Sequence, residues 1–156
     1  MAIAPKVQDY MARRGARYDV LKHPHSQSSM ETAELAHVPG KRLAKSVVLQ
    51  DEHGFVMAVL PSTCHVKVED LCSELNRNLR LVTEKELPSA FSDCELGAIP
   101  PVGPAYGMTT VVDQSLTDEP EIYFEAGDHE QLIRMQRDDF VALMDRATRA
   151  RFAARM

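Results

Sequence analysis

Two apolar, β-rich runs, "RLAKSVVLQ" over residues 42–50 and "FVMAVLP" over 55–61, stand on either side of "DEHG". Runs of this kind separated by a glycine-containing turn form a β-hairpin. No other feature restricts the fold as strongly. The first run also contains an anomaly, because Lys45 interrupts residues that read as a strand entering a core. A lysine there either snorkels its amine to solvent from a sheet edge or aims a fixed positive charge into a pocket.

Around the hairpin, helical and strand-like segments are interspersed. Val7, Tyr10, Met11 and Arg14 keep helical spacing between Pro5 and Gly15, which predicts a first helix over about 5–14. "RYDVLKH" alternates as a strand does, "HPHSQSS" is a polar loop, and "SSMETAELAHVPG" supplies a cap, a short helix and a Pro-Gly stop. "VEDLCSEL" sets Val68, Leu71, Cys72 and Leu75 on one helical face. "LRLVT" reads as a short strand, and Thr83 with Glu86 forms a capping box. "SDCELGAIPPVGPAYG" ends all periodicity with three glycines and three prolines. "TTVVDQ", "EIYFEAG" and "QLIRMQ" are expected to be strands. "RDDFVALMDRATRARF" is expected to close the chain as a helix with Phe140, Leu143 and Met144 inward. No regular βαβ repeat is present. The expected class is therefore α+β, with residues 1–156 as a single compact domain around a mixed, largely antiparallel, barrel-like sheet with surrounding helices.

Composition narrows the function. With 156 residues, 44% of them apolar, the chain suffices for one core. No long apolar run and no signal-peptide pattern appears, so a cytoplasmic protein without a membrane span is expected. Cys64, Cys72 and Cys94 are odd in number and form no Cys-x-x-Cys pair, which reads as free thiols rather than a disulfide framework. A formal net charge of −5 argues against a surface that coats nucleic acid. A local basic patch remains open at Arg146, Arg149, Arg151 and Arg155, which equally suit the last turns of a helix.

The familiar catalytic motifs are missing. His23 and His25 form a His-x-His pair and His129 follows "AGD", but no second ligand pair completes a zinc site, and neither metal nor cofactor is expected. There is no Gly-x-Ser-x-Gly elbow, no Gly-x-Gly-x-x-Gly and no Gly-Lys-Ser/Thr loop, and Cys94 has no base beside it. What remains is Lys45, the histidine at 129 and the loop "GAIPPVG". Gly97 allows close backbone approach, and Pro100 and Pro101 stiffen the loop. The amides of Ala98 and Ile99 then stand either as oxyanion donors or as part of a rigid connecting turn.

Taken in order, "AKSVVL", "FVMAVLP", "CELGAIPPVG", "FEAGDHEQLIRM" and "DDF" resemble the YbaK family over about residues 18–144. That family comprises aminoacyl-tRNA deacylases related to the editing insertion domain of bacterial prolyl-tRNA synthetase. The resemblance implies an enzyme that hydrolyses the ester between a wrong amino acid and the terminal ribose of tRNA. It sets the family's essential lysine on Lys45, its substrate loop on Gly97, Ala98, Ile99, Pro100 and Pro101, and a pocket-shaping position on His129. Ser46 follows the lysine where some alanine-specific members carry asparagine, and it is counted with the substrate-binding residues. The implied partners are the aminoacylated acceptor end of tRNA, meeting a rim of Lys22, Lys41, Arg42 and Lys45, and a cognate synthetase. The implied substrate is a proline tRNA carrying alanine or another small amino acid. Two other readings stay open: a non-catalytic module of the same fold that binds an aminoacyl or nucleotide end, and a metal-dependent hydrolase built on His23, His25 and His129.

Overall fold

The hairpin lies at the centre of the sheet. In the computed structural model, which describes residues 3–24, 32–34, 36–83, 86, 91, 94 and 98–155, β2 (Leu43–Asp51) and β3 (Gly54–Pro61) pair from Ala44–Pro61 to Asp51–Gly54 without a break in register. Glu52 and His53 make the turn, which His53 tightens by donating its amide to Asp51 Oδ1 at 2.8 Å. Gly54 completes it at φ +125°, a conformation that favours glycine.

Six further strands complete a mixed eight-stranded sheet. They are β1 (Asp19–Lys22), β5 (Arg80–Leu81), β6 (Thr109–Asp113), β7 (Glu121–Glu125), β8 (Gln131–Gln136) and β9 (Thr148–Ala150). The order is β1-β8-β7-β2-β3-β6-β9, with β5 paired to β2 beside this path. The contacts β2–β7, β3–β6 and β6–β9 are parallel, and the rest are antiparallel. β4 (Cys64–Val66) and β10 (Ala153–Arg155) form a separate antiparallel pair. Three helices, α1 (Pro5–Arg13), α2 (Val68–Leu75) and α3 (Arg137–Leu143), and a helical turn at 32–34 cover the sheet, so the architecture is α+β.

The period-two alternation of the strands divides the core. Ala44, Val48, Met57, Val59, Val112, Ile122 and Phe124 face α1 and α3. Leu49, Val56, Ala58, Leu60 and Val111 face α2, and Leu43 and Tyr123 face the 32–38 segment. The α2 face is the one expected: Leu71 is buried, with Val68, Cys72 and Leu75 packed beside it. Part of the expected capping box is also present, since Thr83 donates its amide and hydroxyl to Glu86 Oε1 at 3.1 and 3.0 Å. The expected cap at 28–29 lies outside the described residues.

The end of the chain departs from expectation. The helix over 137–152 stops at Leu143, and the following residues form β9 and β10. Asp113, buried at the end of β6, accepts hydrogen bonds from the amides of Phe152 at 2.9 Å and Ala153 at 3.0 Å. Phe152 is fully buried in the α2-facing cluster. An intact helix would forfeit both contacts, so tertiary bonding overrides local propensity. The arginines at 149, 151 and 155 therefore do not complement a helix terminus. Among the described residues no helix is long and apolar enough to cross a membrane.

Candidate active site

Lys45 does not lie on an edge. β2 is flanked by β7 and β3, and Lys45 pairs with Leu60, which removes the edge-strand explanation for a lysine here. Alternation sends its side chain to the face that carries Leu43 and Leu49, where it is half-buried. Burial pushes the amine's pKa below the ordinary lysine value, opposed by the Cys64 thiol. Among the described residues it has no carboxylate partner. Because the charged form is the one disfavoured, the proton is lost at lower pH than from a free lysine. Activity that depends on this charge is expected to fall along an alkaline limb displaced below the usual lysine range. A pH–rate profile of wild type against Lys45→Arg reads that limb, which the arginine moves upward or abolishes.

Ser46 leaves the strand on the opposite face. Its hydroxyl donates to the Ile99 carbonyl at 3.0 Å, tying the proline-rich segment to the residue after the lysine. Ala98, Pro100, Pro101 and Val102 are buried and Ile99 is half-buried, whereas Gly97 lies outside the described residues. The segment continues into a 3₁₀ turn at Gly103–Tyr106. A Cβ on Gly103 would stand 1.9 Å from Thr110 Oγ1, so only glycine fits against β6 there. Cys94 meets the Tyr106 hydroxyl at 3.2 Å.

His129 sits in the β7–β8 connection at φ +58°, a left-handed conformation that is uncommon outside glycine. Asp128 holds the turn by accepting the amides of Glu130 at 3.0 Å and Gln131 at 3.1 Å. The imidazole is buried, and its Nδ1 donates to Glu125 Oε2 at 2.7 Å. The same carboxylate accepts from Thr32 Oγ1 at 3.0 Å and meets His23 Nε2 at 3.2 Å. Three buried polar side chains thus converge on Glu125, which is only 3% exposed. Sequence reasoning singled out His129 and His23 but missed Glu125 and Thr32. The available signal was an acid closing the otherwise apolar strand "EIYFE".

Register relates this cluster to the lysine. Leu43 and Tyr123 are Cα partners across β2 and β7, and Lys45 and Glu125 each stand two residues further along. Both side chains therefore leave adjacent strands on one face. Ser46 and Ile99 meet on the other face.

The expected basic rim is only partly present. Lys22 and Lys41 are exposed, but Arg42 is engaged by Glu119 at 3.0 Å and Glu121 at 3.6 Å. A cation that the rim omitted is Arg155, the cross-strand partner of Cys64 and thus on the face of the thiol that acts on Lys45. His25 lies outside the described residues, while His23 and His129 are hydrogen-bonded to a carboxylate. Among the described residues no group of three or more His, Cys, Asp or Glu side chains is arranged to hold a metal ion.

Comparison with known proteins gives a family and a fold. A model described as the aminoacyl-tRNA editing domain matches residues 23–143. No curated protein matches the sequence. Among solved structures, a candidate trans-editing enzyme for prolyl tRNA synthetase superposes with a TM-score of 0.81 at 22% identity, covering 97% of this chain and 96% of that one. The hypothetical protein APE2540 gives 0.83 at 21% identity, over 96% and 99% of the two chains. A candidate signal transduction protein from Marinobacter aquaeolei VT8 gives 0.76 at 24% identity, and there the match spans 96% of this chain but 30% of the other. Identities this low establish shared architecture, and the family model supplies the rest: matched over more than three quarters of its length, the chain belongs to the aminoacyl-tRNA editing domain family.

Proposed function

We propose that this domain is a trans-editing deacylase that hydrolyses mischarged aminoacyl-tRNA, with alanine or another small amino acid on a proline tRNA as the substrate. The observation that carries this reading is Lys45: a half-buried amine on a central strand, with no carboxylate partner among the described residues, next in sequence to Ser46, which anchors the proline-rich loop on the opposite face. A charge held at such a position, against its own desolvation, is suited to meeting an anion brought by a ligand.

An aminoacyl ester is already activated, so positioning it and stabilising its oxyanion suffice without a covalent nucleophile. Lys45 supplies a fixed positive charge at the ester or the terminal phosphate. The proline-rich loop, stiffened by Pro100 and Pro101 and tied to β2 through the Ser46–Ile99 hydrogen bond, braces the strand that carries the lysine, and water attacks the ester. His129 lines the amino-acid end. Such an enzyme has a purpose because a synthetase pocket discriminates against a substrate one methylene smaller by only about 10–200-fold. The acidic chain binds tRNA weakly and salt-sensitively, and a cytoplasmic synthetase supplies the missing affinity.

The test is a panel of alanyl, cysteinyl, seryl and threonyl esters on a proline tRNA. Selective release of one or two amino acids is expected. Salt-sensitive binding of the charged acceptor end without any release would instead identify a binding module.

A further inference from the structure

After α3 the chain returns to the face of the sheet that carries Lys45. β10 is firmly held there: Asp113 accepts the amides of Phe152 and Ala153, and the Lys67 amide donates to the Phe152 carbonyl at 2.7 Å. Pairing with β4 then sets Ala153 opposite Val66 and Arg155 opposite Cys64. Opposed residues send their side chains to one face, with Cβ atoms about 4.5–5.5 Å apart. Cys64 belongs to the α2-facing cluster together with Leu60, the cross-strand partner of Lys45. Lys45 and Arg155 are thus both neighbours of the Cys64 region, one half-buried and one exposed. Lys41 is exposed on the 40–42 turn, which is docked beside β4 because Ser62 Oγ donates to the Gly40 carbonyl at 2.7 Å. Other cations are answered by acids, Arg42 by Glu119, Arg77 by Asp51 and Arg80 by Glu86. Among the described residues Lys41, Lys45 and Arg155 have no carboxylate partner, so this part of a chain with net charge −5 is a local positive patch.

We propose that Arg155 binds the phosphate that joins the aminoacylated terminal nucleotide of tRNA to the rest of the strand; for its ligand this rests on the aminoacyl-tRNA reading above. That phosphate is the anion nearest to the ester, since both are carried by the same ribose. With Arg155 on the phosphate, Lys45 is left to the ester, and the two cations face opposite ends of one sugar. A guanidinium fork matches a pair of phosphate oxygens, which an ammonium does not. The phosphate keeps its charge throughout the hydrolysis, so the contact holds substrate and transition state equally and acts on binding rather than on the chemical step. β10 lies outside residues 23–143, the span of the family match, so the contact is a feature of the C-terminal ribbon of this chain.

Arg155→Gln removes one charge from an exposed side chain and is expected to leave the melting temperature unchanged. The probe is an uncharged RNA hairpin that reproduces the acceptor arm of a proline tRNA with its single-stranded 3′ end, and binding is read by fluorescence anisotropy across a salt titration. The variant is expected to bind about 3–10-fold more weakly, as for one charge-assisted contact near the surface. Its salt slope is expected to shrink by about 0.7, the share of one phosphate contact on a single strand. In deacylation KM rises by a similar factor while kcat stays within about twofold. Arg149→Gln makes the same charge change on an exposed residue of β9 and is expected to match wild type in both readings. Wild-type binding by Arg155→Gln, an equal loss in Arg149→Gln, or no binding of the hairpin by the wild type overturns the proposal. So does an Arg155 effect of the same size on a hairpin trimmed of its single-stranded end. A wild type that hydrolyses no ester yet binds the hairpin through Arg155 overturns the deacylase reading and supports the phosphate contact.

Discussion

Lys45→Met is expected to lower deacylation by about 10²–10³-fold, the cost of losing one group that stabilises developing charge, without lowering thermal stability. The two expectations come from one fact. The amine is half-buried and carries no carboxylate partner among the described residues, so its charge costs folding free energy at neutral pH. Methionine keeps the unbranched stem that packs near Leu43 and Leu60 and removes only that charge. A structural lysine behaves otherwise, since replacing it leaves activity intact and changes stability alone. Activity assays and thermal melts on the same preparation separate these cases, because loss of function at equal or higher stability is the signature of a site residue.

The largest stability effect is expected from Asp113→Ala. One carboxylate oxygen accepts the amides of Phe152 and Ala153, and the other accepts the amide of Ser115 at 3.1 Å as well as its hydroxyl. Alanine strands these donors at a site that is 4% exposed. At about 1–3 kcal/mol for each unsatisfied group, with the two C-terminal amides counted, the loss is about 2–6 kcal/mol. For a chain of this size that corresponds to a fall in Tm of roughly 4–24 °C. Asp113→Asn keeps an oxygen for Phe152 and Ala153 and is expected to lose less. Hydrogen exchange locates the damage: the amides of 152 and 153 exchange quickly in Asp113→Ala while those of β2 and β3 stay protected. Uniform loss of protection, or no change in Tm, contradicts this role.

The same aspartate shows why part of the fold was not legible in the sequence. The hairpin announced itself because alternation and turn chemistry agree within twenty residues of chain. The C-terminal segment has good helical residues up to Leu143, and what turns the rest into strands is a carboxylate some forty residues earlier. No local pattern carries that information. β4 was missed for a related reason, since its three residues form a strand only because β10 pairs with them. The parallel contacts of β2 with β7 and of β3 with β6 likewise join segments far apart in sequence.

The candidate site was legible in its residue types but not in its geometry. Lys45 and the loop from Gly97 to Pro101 were visible as anomalies. Their arrangement depends on neighbours: β7 and β3 make β2 a central strand, and alternation sends Lys45 and Ser46 to opposite faces. Glu125 was hidden because one acid in a strand gives no hint that two histidines and a threonine converge on it. Arg42 was overread, because its positive charge is answered by Glu119 and Glu121 on the neighbouring chain segment.

The central claim is hydrolysis, and single-turnover assay of purified protein on alanyl-proline tRNA, beside correctly charged prolyl-tRNA and beside Lys45→Met, tests it most directly. Rapid release of alanine, sparing of the prolyl ester and near-background release by the variant are expected. Equal rates for wild type and Lys45→Met, or a wild type that leaves every small aminoacyl ester intact, would contradict it.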